Sequence, residues 1–159
     1  MKLARTGVLA AAVLSIATMA FAQAKADFSG TWTPEAPAAG APGGGGGGGG
    51  RGMAGPMTVK QTGDMLTIER TMGENKVTQT YKLDGTESEN KMTGRGGEVV
   101  TKSTAKWDGA KLTITTKQAA QDGTERTSTQ TWSMEGGNLV IERAGRDGAM
   151  QKTVYKKTT

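Results

Sequence analysis

From residue 56 onward, eight turn signals cut the chain at intervals of about ten to fourteen residues: Gly63-Asp64, Gly73, Asp84-Gly85, Gly96-Gly97, Asp108-Gly109, Asp122-Gly123, Gly136-Gly137 and Asp147-Gly148. Asp-Gly and Gly-Gly supply the positive φ angles of tight hairpins, so this spacing leaves room only for short elements between turns. The intervening segments alternate apolar and polar side chains with a period of two and are rich in Thr, Val, Ile, Trp and Tyr. Those residues suit a pleated, half-buried surface. No stretch beyond the first two dozen residues sustains a helical period. Strands are predicted at 28–33, 56–61, 64–72, 76–83, 98–107, 111–118, 125–134, 138–144 and 150–157, and the class is all-β.

The strands repeat a template. DMLTIER (64–70), AKLTITT (110–116) and GNLVIER (137–143) each open just after a turn, and other strands close on an aromatic: VTQTYKLDG around Tyr81, STAKWDG around Trp107, STQTWSM around Trp132 and KTVYKK around Tyr155. Successive hairpins of one pattern build an antiparallel up-and-down meander. Such a sheet must bury one face, and with no helix to cover it the economical solution is closure into a barrel of eight to ten strands. A two-sheet sandwich is the alternative.

The first 22 residues read as a secretory signal peptide. Lys2 and Arg5 precede an uncharged apolar run from Gly7 to Ala22, and Ala20-Phe21-Ala22 fits the small-x-small cleavage rule. Ala22-Gln23-Ala24 offers a second cleavage position. The expected product is a periplasmic or secreted chain, residues 23–159, forming a single domain with no membrane span once the signal is removed. With no Cys anywhere, lipid attachment of the bacterial lipoprotein kind, disulfides and thiolate metal sites are all excluded, so a hydrophobic core must hold the domain alone. The formal charge is +5, and losing Lys2 and Arg5 leaves +3. A charge that small, dispersed among Glu and Asp, serves solubility and does not make a nucleic-acid footprint.

Catalytic chemistry is poorly supplied. The chain has no His and no Cys, which removes Ser-His triads, thiol nucleophiles and imidazole ligation. Glu87, Glu89, Glu69 and Glu142 lie among Lys and Thr, where a solvated carboxylate is the default. The nine Met residues include Met53 and Met57 in MAGPM, but scattered thioethers fill a core in which only 4% of residues are aromatic. No enzyme activity, metal or cofactor is expected.

The opening DFSGTW (27–32) resembles the Gly-x-Trp first strand of the lipocalins and the similar start of the fatty-acid-binding proteins, both calycin-type barrels. GDMLTIER, KWDGAKLTITT, WSMEGGNLVIER and TVYKK have the order and turn spacing of the later strands of fatty-acid-binding proteins. The likeness covers roughly 27–33 and 56–157. The chain is also similar to a broad set of small exported bacterial proteins with YKLDG, KWDG and terminal VYKK signatures. In fatty-acid-binding proteins two short helices between the first and second strands form a lid. Here that interval is rich in glycine, with eight in a row from Gly43 to Gly50, and polyglycine has nothing to bury. Residues 34–55 are therefore expected to be a flexible, disordered loop in place of the lid. A phosphate cradle would need a Lys and a Ser or Thr at the loop's end, where Arg51 and Gly52 stand.

The resemblance also implies an Arg-x-Tyr pair on the last strand and a further Arg two strands earlier. Tyr155 matches the Tyr; Thr153 occupies the paired Arg position and Gln130 the earlier one, leaving Arg126 and Arg143 to supply charge nearby. A first-strand Trp in lipocalins packs under a cation from the last strand, which assigns Trp32 a partner among Lys152, Lys156 and Lys157. Period two puts Arg126, Ser128 and Gln130 on the face of Trp132, Gln79 and Val77 with Tyr81, and Ala105, Ser103 and Thr101 with Trp107. The candidate ligand-binding set is Gln79, Tyr81, Trp107, Arg126, Gln130, Trp132 and Tyr155. The function expected is a carrier or sensor of a small apolar or amphipathic molecule, with an interior cavity of a few hundred cubic ångströms. A structural or protein-interaction module of the cell envelope, packed solid by its own side chains, is the alternative.

Overall fold

The alternation becomes ten strands: β1 (Gly30–Pro34), β2 (Met57–Gln61), β3 (Met65–Met72), β4 (Asn75–Lys82), β5 (Glu87–Gly94), β6 (Gly97–Asp108), β7 (Lys111–Ala119), β8 (Glu125–Glu135), β9 (Asn138–Ala144) and β10 (Met150–Thr158). This computed structural model describes residues 24–35, 55–72, 75–94, 97–119, 123–144 and 148–158. The signal segment and the glycine run, which fall within 1–23 and 36–54, lie outside the described residues. The nine strands expected from the alternation correspond to the other nine; β5 is the one they miss.

Every pairing is antiparallel and the order is β4-β3-β2-β1-β10-β9-β8-β7-β6-β5. The ten strands follow one another in a meander around the ring, and its first and last strands meet where β1 pairs with β10, Trp32 opposite Lys157. The result is a nearly closed barrel. Among the described residues, the turns at Asp84-Gly85, Asp108-Gly109 and Gly136-Gly137 use the predicted dipeptides, with Gly85 and Gly109 at positive φ. Gly136 and Gly137, between Glu135 and Asn138, both take positive φ, 57° and 83°, the requirement of a type I′ hairpin.

Only β4 and β5, at the two ends of the order, lack a common ladder. Side chains bridge that seam. Asn90 accepts a hydrogen bond from the Thr80 amide at 2.7 Å and donates one to the Thr80 carbonyl at 3.0 Å, as a neighbouring strand would. Ser88 accepts from the Lys82 amide at 2.8 Å. Both residues are buried, so these contacts satisfy main-chain groups that water does not freely reach.

One end of the barrel is stoppered by the segment before β1. Phe28 is fully buried, stacked on Trp107 with ring centroids 5.8 Å apart and edge-on to Trp132 at 5.7 Å. Gln61 fastens the segment: it accepts from the Phe28 amide and donates to the Ala26 carbonyl. Trp32 adds a hydrogen bond from Nε1 to the Phe28 carbonyl at 2.8 Å. The predicted cation over Trp32 is Lys157, its Nζ 5.6 Å from the ring centroid. Gly30 makes room for it, with φ at 142° and the Lys157 chain so close that a Cβ would meet Cε at 2.6 Å.

Candidate functional site

The repeated strand template builds the barrel interior in layers. In LTIER, LTITT and LVIER the first and third residues, Leu66 and Ile68, Leu112 and Ile114, Leu139 and Ile141, are buried and form an apolar floor. Period two then carries the fifth residue of each copy, Arg70, Thr116 and Arg143, one layer higher. All three line an interior chamber of about 140 Å³ above that floor.

Apolar contacts to the chamber come from Ile68, Met92 and Ala144, and every other lining residue is polar. Arg70 and Gln79 are each 5% exposed, Thr101 2%. Arg70 donates from Nη2 to the Met57 sulfur at 3.1 Å, and Gln79 from Nε2 to the Met92 sulfur at 3.6 Å. Exposed Ser128, Thr129 and Gln118 complete the lining on the solvent side. The chamber is smaller than the few hundred cubic ångströms expected of a carrier, yet it is not the solid interior of a packed module.

The electrostatics follow from burial. Desolvation pulls the Arg70 guanidinium below its ordinary range; the Tyr155 phenol opposes that shift, the like charge of Arg143 adds to it, and Tyr81 opposes it. Burial pushes the Tyr81 phenol above its ordinary range, against the pull of Arg70 and Arg143.

The candidate set divides by depth. Gln79, Tyr81 and Gln130 line the chamber. Trp132 is fully buried in the core, and Trp107 lies half-buried against Phe28 at the stoppered end with Lys25 Nζ 5.7 Å from its ring centroid. Tyr155 is fully buried, opposite Leu139, and its hydroxyl has no hydrogen-bond partner among the described residues. Arg126 is exposed at the start of β8, outside the chamber lining. Sequence reasoning did not select Arg70; aligning LTIER with LVIER would have found it, since the two arginines hold equivalent positions. A wider open depression of about 500 Å³ lies beside the β6–β7 turn, lined by Asp108, Lys111 and Glu135 among others, all three exposed.

No family model matches the chain, and no curated protein matches it by sequence. Solved structures do match. Human cRBP IV superposes with a TM-score of 0.55 over 84% of this chain and 99% of that one, at 22% identity. Its fold is the calycin-like β-barrel. The same barrel is shared with zebrafish ileal bile acid-binding protein complexed with cholic acid (TM-score 0.51, 24% identity, 82% of this chain and 98% of that one). A variant of the REP1-NXSQ fatty acid transporter has a TM-score of 0.52 at 16% identity, over 82% of this chain and 97% of that one. In this calycin-like barrel the cations at the chamber stand on β3 and β9, while the positions that the fatty-acid-binding resemblance assigns to arginine carry Gln130 and Thr153.

Proposed function

We propose that this protein is an exported, non-catalytic binding barrel, a carrier or sensor whose small amphipathic ligand occupies the interior chamber. The observation that carries this reading is a polar-lined chamber set directly on an apolar floor. A wholly apolar ligand would shut this polar lining away from water, at a cost of about 1–3 kcal/mol for each group left unsatisfied. An amphipathic one satisfies both layers. The neighbours' names, a bile acid-binding protein and a fatty acid transporter, agree with a ligand that has a polar end. The basic start and apolar run ending at Ala22 support export.

Native mass spectrometry on protein recovered gently from the periplasm of its own cell tests both parts. The expected result is a chain beginning at Gln23 or Lys25 that carries a reproducible extra mass, lost on denaturation. A bare chain to which no small molecule binds would reject the carrier and favour the interaction module; a retained N-terminal segment would reject cleavage.

A further inference from the structure

We infer that Met92 is an oxidation site: a small hydroperoxide entering the chamber converts its thioether to a sulfoxide, and Gln79 holds the new oxygen across the seam between β4 and β5. Met92 is half-buried and lines the chamber, whose solvent side is formed by exposed Ser128, Thr129 and Gln118. An oxidant of a few atoms can therefore reach its sulfur. Met57 makes the contrast, being 2% exposed with the Arg70 Nη2 donating to its sulfur at 3.1 Å. There both access and the sulfur lone pair are restricted. In the step itself a lone pair of the Met92 sulfur attacks the terminal peroxide oxygen, so that the S–O bond forms as the O–O bond breaks. The departing hydroxide or alkoxide takes the proton of the transferred oxygen, and the peroxide gains the two electrons that sulfur loses. Methionine sulfoxide reductases reverse the change.

The surroundings favour the product. β4 and β5 share no backbone ladder; Asn90 and Ser88 tie them at Thr80 and Lys82, and the next inward residue of β5 after Asn90 is Met92. Here the tie is the Gln79 Nε2 donating to the Met92 sulfur at 3.6 Å. A thioether is a weak acceptor. A sulfoxide brings a strong acceptor to a donor already directed at the sulfur, and an amide–oxygen bond closes to about 2.9 Å. Oxidation thus tightens the seam. It also makes the chamber wall more polar, since only Ile68 and Ala144 then remain as apolar lining. On the reading of the chamber as a binding site, the apolar part of a ligand is then held less tightly.

Limited treatment of the folded protein with hydrogen peroxide, followed by peptide mapping and amide exchange, tests the inference. Met65→Leu and Met150→Leu are introduced first, to remove the two exposed thioethers among the described residues. Met92 is expected to gain oxygen about tenfold or more faster than Met57, after which the Thr80 amide should exchange about two- to tenfold more slowly. Methionine sulfoxide reductases should restore the original rate. Gln79→Leu should leave the oxidation and remove the slowing, and Met92→Leu should make Thr80 indifferent to peroxide. Met57 oxidised as fast as Met92, or a Thr80 amide that exchanges no more slowly once Met92 is oxidised, would overturn the inference. Decanoate, titrated calorimetrically, is expected to bind the oxidised form more weakly, and equal binding by both forms would overturn the effect on the chamber. Decanoate bound by neither form would count against the carrier reading alone, since mapping and exchange decide the oxidation site without a ligand.

Discussion

At the scale of single residues, Trp32 shows how one position can serve packing, hydrogen bonding and charge together. Its ring is 1% exposed, its Nε1 holds the Phe28 carbonyl, and Lys157 lies over its face. Trp32→Ala should cost about 3–5 kcal/mol in urea unfolding, while Lys157→Ala should cost about 0.5–1 kcal/mol. Equal losses would mean that the cation, not the burial, carries the site. Tyr155 makes the opposite prediction. Its buried hydroxyl lacks a protein partner among the described residues, so Tyr155→Phe should leave stability unchanged or raise it by about 1 kcal/mol. A fall in stability would reveal a partner. The Trp32 arrangement was legible through the resemblance of the Gly-x-Trp segment to the lipocalin first strand, which implied a last-strand lysine over the ring. The chamber was only partly legible, since period two tells which residues share a face but not their depth: Trp107 and Trp132 sit with the apolar plug, while Gln79 and Gln130 stand at the chamber.

At the scale of elements, β5 is the instructive strand. Its sequence, ESENKMTG, has one β-branched residue and reads as a polar connection by propensity. Tertiary context makes it a strand: β6 pairs with it along its whole length, Glu87 opposite Thr104 through Gly94 opposite Gly97. Its inward Ser88 and Asn90 are polar because they work as substitute backbone at the seam. Asn90→Ala should therefore destabilise the protein by about 1–3 kcal/mol and speed amide exchange at Thr80 more than at the β6–β7 ladder. Uniform acceleration across the barrel would show that the seam is no weaker than the rest. The other strands were legible because Leu, Ile, Val, Thr and the aromatics alternate cleanly in them.

At the scale of the whole molecule, charge is arranged so that stability has a limit at each end of the pH range. Glu69 is held below its ordinary value of 4.5 chiefly by Lys76, Asp84 below 3.8 by Thr86, and Asp27 below 3.8 by Ser29. Carboxyls with lowered values stabilise the fold above those ordinary values and lose that contribution as pH falls through the folded ones. Tyr81 and Lys152 are raised, by burial and by Glu135 respectively. Their contributions are present below the ordinary 10.0 and 10.5 and disappear as pH rises through the folded values. Urea midpoints should thus be highest between about pH 5 and 9 and lower at pH 3 and 11. A midpoint that kept rising from pH 9 to 11 would contradict the Tyr81 assignment. Closure itself was the least legible property, because nothing local in the first or last strand announces that they pair, and a sandwich would use the same alternation.

That pairing also orders events in time. Trp32 and Lys157 belong to opposite ends of the chain, so a polypeptide supplied from its N-terminus, by a ribosome or through a translocation channel, cannot shut its ring until the last strand has been delivered. Long-range closure of this kind is slow. Until β10 arrives, β1 and β9 each lack the strand that joins them, so the ring is completed only by the strand delivered after all the others.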